Sequence, residues 1–186
     1  KLRFKLGIIT LKKLLSFVAF QLGLVRLCNH QLVDVYYTLC NNPNYASFNE
    51  ILYNKDFTNI IQVPSGINGN VTLHENLEEI KRYAFYRCEN MTSVVIPNKV
   101  SQILYSAFNG CHNLTSVNIP NNVISIGEYA FYECYSIKFI SIPNSVTNIE
   151  SSSFTRCYSL ETVELNSNYS VTNFKKIFNT YNSIDH

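Results

Sequence analysis

The chain has 186 residues, 46% of them hydrophobic, enough for one domain with its own core. A net charge of +2 with only 15% charged residues excludes a nucleic-acid surface, which needs clustered Lys and Arg. Three aspartates stand against 13 tyrosines, 12 phenylalanines and two dozen asparagines, so the surface is polar without being charged. Such a surface suits hydrogen-bonded contact with proteins or glycans better than electrostatic steering.

Residues 1–58 share no period with the remainder of the chain. Leu14 to Val25 is an apolar stretch broken only by Ser16, Gln21 and Gly23, with Lys12-Lys13 before it. Two readings of 12–25 stand side by side. One is a secretory signal with a basic n-region and a short h-region, too short to span a bilayer; no small-x-small cleavage site follows it. The other is an amphipathic helix packed over the open end of a repeat array. Any membrane association would run through this segment alone. A second helix is expected around Leu32 to Leu39, then a turn at Asn41-Asn42-Pro43-Asn44 and a short segment from Ser47 to Tyr53. Cys28 and Cys40 lie outside the repeats, and a bridge between them is left open. In 59–70, Ile60 to Val63 reads as a strand ended by Pro64, and Asn68-Gly69 is a hairpin signal leading into Val71.

From Val71 the chain repeats. Cys88, Cys111, Cys134 and Cys157 stand 23 residues apart. Ala84-Phe85, Ala107-Phe108, Ala130-Phe131 and Ser153-Phe154 precede them, and Pro97, Pro120 and Pro143 follow three of them. A strict period in the twenties is the mark of a solenoid, in which each coil buries its apolar side only against its neighbours. Val71 and Leu73, Val94 and Ile96, Val117 and Ile119, Ile140 and Ile142, Val163 and Leu165 each flank one outward residue, the alternation of a half-buried strand. The Ala-Phe pair and Cys are expected on a short helical turn. Equivalent cysteines of adjacent coils lie about one strand spacing apart, roughly 4.8 Å. Their side chains run parallel in a ladder and do not face each other, so four reduced, buried thiols are expected. After Leu165 the pattern fails, and Thr172 can cap a helix whose apolar face is Phe174, Ile177, Phe178 and Tyr181.

The run from Ile126 to Ile149, Ile-Gly-Glu-Tyr-Ala-Phe-Tyr-Glu-Cys-Tyr-Ser-Ile-Lys-Phe-Ile-Ser-Ile-Pro-Asn-Ser-Val-Thr-Asn-Ile, closely resembles the BspA-like type of leucine-rich repeat. The resemblance covers Val71 to about Leu165 and implies a solenoid with one strand per coil. It also implies a surface-exposed or secreted protein of the kind found in bacteria and anaerobic protists and associated with adhesion. The expected fold class is therefore an α/β leucine-rich-repeat solenoid. Each coil would hold one short strand and one helical turn, with a helical N-terminal segment and a C-terminal capping helix. The divisions expected are a non-repeat segment 1–58, an entry hairpin 59–70, four full coils and a fifth strand over 71–165, and a cap over 166–186.

No catalytic pattern is present: the chain has no Gly-x-Ser-x-Gly elbow, Gly-rich phosphate loop or His-Glu-x-x-His. His74-Glu75 with Glu78-Glu79 brings metal-ligating types together, but on an exposed polar edge. Cys111-His112 is adjacent without being poised, since a nucleophilic cysteine needs an exposed, activated thiolate. No enzyme activity, cofactor, metal or small-molecule substrate is expected. Sequons occur at Asn70, Asn90, Asn113 and Asn168, with chance and use both open as explanations in so Asn-rich a chain. The outward strand positions form the candidate binding face: Ser93, Val95, Ser116, Asn118, Lys138, Phe139, Ser141 and Glu164, with Phe139 as an aromatic anchor. A second candidate is Tyr83, Tyr86, Tyr129 and Tyr132 beside the Ala-Phe pairs, where lateral packing between coils is the plainer role. The expected function is a non-enzymatic module, cell-surface or secreted, that recognises protein or glycan. The alternative is an intracellular scaffold.

Overall fold

The computed structural model describes residues 43–165 and 177–178. Twelve strands run in chain order: β1 Tyr45–Phe48, β2 Ile51–Asn54, β3 Ile60–Gln62, β4 Gly69–Thr72, β5 Glu79–Ile80, β6 Met91–Val95, β7 Gln102–Ile103, β8 Ser116–Asn118, β9 Ser125–Ile126, β10 Phe139–Ser141, β11 Asn148–Ile149 and β12 Thr162–Glu164. Each coil contributes a longer strand and a two-residue strand. The longer ones form the parallel ladders β4-β6-β8 and β10-β12, and the short ones a second parallel sheet, β5-β7-β9-β11. Ser93 pairs with Ser116, Val94 with Val117 and Val95 with Asn118. Within these ladders a residue therefore meets its own counterpart one coil on, and an apolar position stays apolar through the stack. The long-strand ladder is interrupted between β8 and β10, which are not hydrogen-bonded into one sheet.

The stretch that carries Ala-Phe and Cys is not helical. Ala84, Tyr86 and Cys88 donate their N–H groups three residues back, to Lys81, Tyr83 and Phe85. Tyr83, Phe85 and Arg87 between them donate to the next coil, to Tyr105, Ala107 and Asn109. An α-helix would return every N–H to the carbonyl four residues back. Two residues per coil also take left-handed backbone: Tyr83 (φ 59°) and Arg87 (57°), then Ser106 (51°) and Gly110 (76°), Tyr129 (55°) and Glu133 (59°), Ser152 (58°) and Arg156 (62°). A right-handed helix cannot contain them. The expectation of a helical turn per coil is thus corrected to a run of tight turns cross-linked between coils.

The expectation of a helical N-terminal segment is corrected where that segment is described. Residues 43–58 hold β1 and β2, an antiparallel pair that β3 joins. The apolar stretch 12–25, the helix at 32–39 and Cys28 with Cys40 lie outside the described residues, as does most of the C-terminal cap. Ile177 and Phe178, the described part of that cap, are too few to form an element. The fold class among the described residues is an all-β solenoid, with no helical element. Nor does Asn68-Gly69 join two paired strands: β3 pairs antiparallel with β2, whereas β4 pairs parallel with β6.

The core is a set of columns. Phe85, Phe108, Phe131 and Phe154 are buried and stacked face to face, with ring centroids 4.8, 5.1 and 5.1 Å apart. Phe178 continues the column at 5.4 Å. The cysteine column is tied to it: Cys111, Cys134 and Cys157 donate their thiols to the carbonyls of Phe85, Phe108 and Phe131 at 3.1, 3.3 and 3.3 Å. All four are free thiols; Cys88, Cys111 and Cys134 are buried as expected, whereas Cys157 in the last described coil is half-buried. A small side chain with a weak donor suits a corner where a backbone oxygen of the previous coil, already bonded to one N–H, still has a second lone pair to offer.

Burial pushes the Cys88 and Cys157 thiols from 9.0 up to about 12, and raises Cys111 and Cys134 well above 9.0. A pKa raised in the folded state favours folding at every pH below 9.0, the ordinary thiol value. That contribution is lost as pH rises from 9.0 towards about 12. At pH 8 these four cysteines should stay unlabelled by a thiol reagent in native protein, read by mass spectrometry, and react fully after denaturation. Stability should fall steadily above pH 9. Rapid native labelling of all four would overturn the buried ladder.

The N-terminal end is closed by β1-β2-β3. Tyr53, fully buried, receives the His74 N–H on its hydroxyl oxygen at 3.3 Å, and Asn49 Nδ2 donates to the Thr72 carbonyl at 3.0 Å. Asn59 bridges to Glu79 in parallel and so extends the short-strand sheet by one rung.

Candidate functional site

The long-strand face carries the eight residues expected to form a binding surface. Ser116, Asn118, Lys138, Phe139, Ser141 and Glu164 are exposed, Val95 is 51% exposed and Ser93 is half-buried. The strand period explains this, since residues flanking Val94, Val117 and Ile140 point away from the core. Register brings Ser93 beside Ser116, Val95 beside Asn118, and Ser141 beside Glu164. The break between β8 and β10 divides the eight into two groups, with Val95 on one side and Phe139, 47% exposed, on the other. Part of the polar rim is self-satisfied: Thr92 and Ser93 donate to Asn70 Oδ1 at 3.2 and 2.8 Å, and Thr115 donates to the Thr92 carbonyl at 3.0 Å.

Of the sequons, Asn90 and Asn113 are exposed at equivalent points of adjacent coils, and the Asn70 side chain is engaged by Thr92 and Ser93. Asn168 lies outside the described residues.

His74 does not stand on an open edge with Glu78 and Glu79. Its ring stacks on Phe57 at 3.9 Å and meets Phe48 edge-on at 5.1 Å, inside the N-terminal closure. Its Nδ1 accepts the Asn76 N–H at 3.2 Å. Among the described residues, no group of three or more His, Cys, Asp or Glu side chains could hold a metal. Cys111 is buried against Phe85, while His112 stacks on Tyr135 at 4.6 Å with its Nε2 3.9 Å from Glu133. The two adjacent residues point to different environments and make no nucleophile-base pair.

The turn side is more organised than expected. Tyr83 and Tyr86 are 52% and 42% exposed, and Tyr105 joins them to Tyr129 and Tyr132 in one arc of edge-to-face rings. Arg156 lies over the Tyr132 ring at 5.3 Å and pairs with Glu133 at 2.6 Å. That hydrogen bond holds the Arg156 guanidinium above its ordinary range. Behind it, Tyr158 stacks on Tyr135 at 5.4 Å. Sequence reasoning missed Tyr105 because it stands 22 residues after Tyr83 and 24 before Tyr129, one place off their column. Its signal is that the neighbouring column, Arg82, Tyr105 and Glu128, is aromatic only in the middle coil.

A stack of short parallel strands with turns between them defines a leucine-rich-repeat solenoid. The sequence pattern of the BspA type leucine rich repeat region matches residues 50–185 in six copies. The chain belongs to the BspA-type leucine-rich repeat family. Among solved structures it is similar to the pneumococcal vaccine antigen PcpA, at 25% identity and a TM-score of 0.64 over 68% of this chain and 32% of that one. It is also similar to the T. pallidum leucine rich repeat protein TpLRR, at 30% identity and a TM-score of 0.51 over 52% of this chain and 45% of that one. A leucine rich cell surface protein from Faecalibacterium prausnitzii shares the fold, at 24% identity and a TM-score of 0.54 over 73% of this chain and 42% of that one. The chain thus spans less than half the length of each. No curated protein matches it.

Proposed function

We propose that the chain is a non-enzymatic binding module that engages a protein or glycan through its long-strand face, as part of a cell-surface or secreted protein. The observation that carries this reading is a stacked polar face, with Lys138 and Glu164 the charged members of its eight residues, on which two apolar side chains, Val95 and Phe139, stay exposed. Hydrogen-bonding Ser, Thr and Asn around aromatic or aliphatic anchors is the composition of adaptable recognition surfaces. Surface placement draws support from PcpA, a vaccine antigen with this fold. No helix among the described residues is long and apolar enough to cross a membrane.

Size sets the strength. Five strand rungs stack to about 19 Å and a five-residue strand adds about 17 Å, giving a face near 320 Å². A standard stable interface uses roughly 800 Å² per partner. One copy therefore binds weakly, and a clustered array binds well because linked sites raise the effective concentration. The test compares soluble monomer with bead-displayed protein on a panel of matrix proteins and glycans. Display should reveal binding that the monomer lacks, and Phe139→Ala with Asn118→Ala should reduce it at least tenfold. Nanomolar binding by the monomer, or binding indifferent to the double substitution, would move the site off this face.

A further inference from the structure

The turn side carries a pattern that the strand face lacks: it is symmetric about its middle coil in shape and, at two positions, antisymmetric in charge. Tyr105 sits at the centre. Tyr83 leans on it from one side at 5.4 Å and 74°, and Tyr129 from the other at 5.8 Å and 83°. Each of these flanking rings carries a further tyrosine: Tyr86 at 5.7 Å and 88°, Tyr132 at 5.4 Å and 87°. Positions that hold tyrosine in the outer coils hold Ser106 and Asn109 in the middle one, so two ridges flank a lower saddle. At two positions the charges reverse across the same line, while Lys81 and Glu89 are matched by the uncharged Gly127 and Tyr135. Arg82 before the saddle is answered by Glu128 after it, and Arg87 by Glu133.

A surface with this pattern is complementary to itself. When two copies meet face to face across a two-fold axis lying along the middle coil, coil order reverses and position within the coil is kept. Arg82 of one copy then faces Glu128 of the other and Arg87 faces Glu133, each contact occurring twice. Tyr83 and Tyr86 meet Tyr129 and Tyr132, and Tyr105 meets its own copy. We propose that the turn side is a self-association surface on which two chains pair antiparallel, joined by tyrosine ridges and four Arg–Glu contacts.

Arg82 is exposed and makes no ion pair among the described residues. Arg87 and Glu133 hold intrachain partners, Glu89 at 3.2 Å and Arg156 at 2.6 Å, so their cross-contacts extend existing pairs into networks. Tyrosine and arginine are the residues that enrich interface centres. Three coils stack over only about 10 Å. The face is therefore below the roughly 800 Å² per partner of a standard complex, and the dimer forms at high protein concentration and weakens with salt.

Charge exchange tests the pairing and its register. Arg82→Glu and Glu128→Arg are prepared separately, with thermal unfolding to verify that each folds, and sedimentation equilibrium reads association of each alone and of the mixture. Wild-type protein should dimerise with increasing concentration. Either variant alone places like charges opposite each other twice, and its association should fall at least tenfold. In the one-to-one mixture both contacts become opposite in sign, so dimerisation should return as a heterodimer. Three results would each overturn the proposal: wild-type protein monomeric throughout, a single variant associating like wild type, or a mixture no more associated than its components.

Discussion

Phe131→Ala is expected to destabilise the protein by about 3–5 kcal/mol, the cost of deleting a buried aromatic ring. Phe131 is fully buried and stacked on both faces, by Phe108 at 5.1 Å and 4° and by Phe154 at 5.1 Å and 3°. Removing it opens a gap in the middle of a continuous column, and neither neighbour can close in. Both are held by backbone bonds: Phe108 N–H donates to Ala130 at 2.7 Å, and Phe154 N–H to Ile177 at 3.2 Å. Since each coil is stabilised only by the next, the damage should spread as loss of cooperativity between the halves. Urea unfolding read by tyrosine fluorescence and by circular dichroism should show it. A loss below about 1 kcal/mol would place the ring outside the core.

Gly127→Ala should be costly for the opposite reason. A Cβ there would stand 2.7 Å from Tyr105 N, 2.8 Å from Leu104 C and 3.2 Å from Tyr105 Cα. All three are backbone atoms, so no side chain can swing aside. Leu104 N–H is bonded to Ile80 and Gly127 N–H to Ile103, both at 2.8 Å, and relief means breaking the ladder between two coils. Overpacking of this kind typically costs 1–3 kcal/mol, and contact with backbone puts it at about 3. Leu104 and Glu150 occupy the equivalent position in adjacent coils, so the close approach is local to Gly127. Thermal unfolding decides it: a variant as stable as wild type would mean the coils can part there without loss.

What the sequence makes legible is whatever repeats at one position. The cysteine, phenylalanine and strand columns could be assigned inward because each fills the same place in successive coils. The turn could not be distinguished from a helix, because Phe85 and Cys88 are three apart and suit either. What separates the two is the partner of every second N–H, which lies one coil away and leaves no mark on the local pattern. The two-residue strands β5, β7, β9 and β11 are too short to show alternation, and announced themselves only as single isoleucines. The N-terminal closure was obscured in another way. The β1–β2 connection uses Asn49 (φ 49°) and Glu50 (φ 65°), and a left-handed glutamate is not a residue that advertises a tight turn. On the turn side, pairs such as Arg82 and Glu128 have meaning only once the coils are laid side by side.

Because each coil bonds its successor residue for residue, the stack has no built-in count. Twenty-three residues, or a multiple of that number, added or removed at a coil boundary keep every column in register, whereas any other number throws a whole column out of line. Growth and shrinkage of the gene by unequal exchange between copies therefore keeps the register at those lengths alone. Reach then varies independently of chemistry: copy number sets how far the surface extends, and the few outward residues of each coil set what it touches.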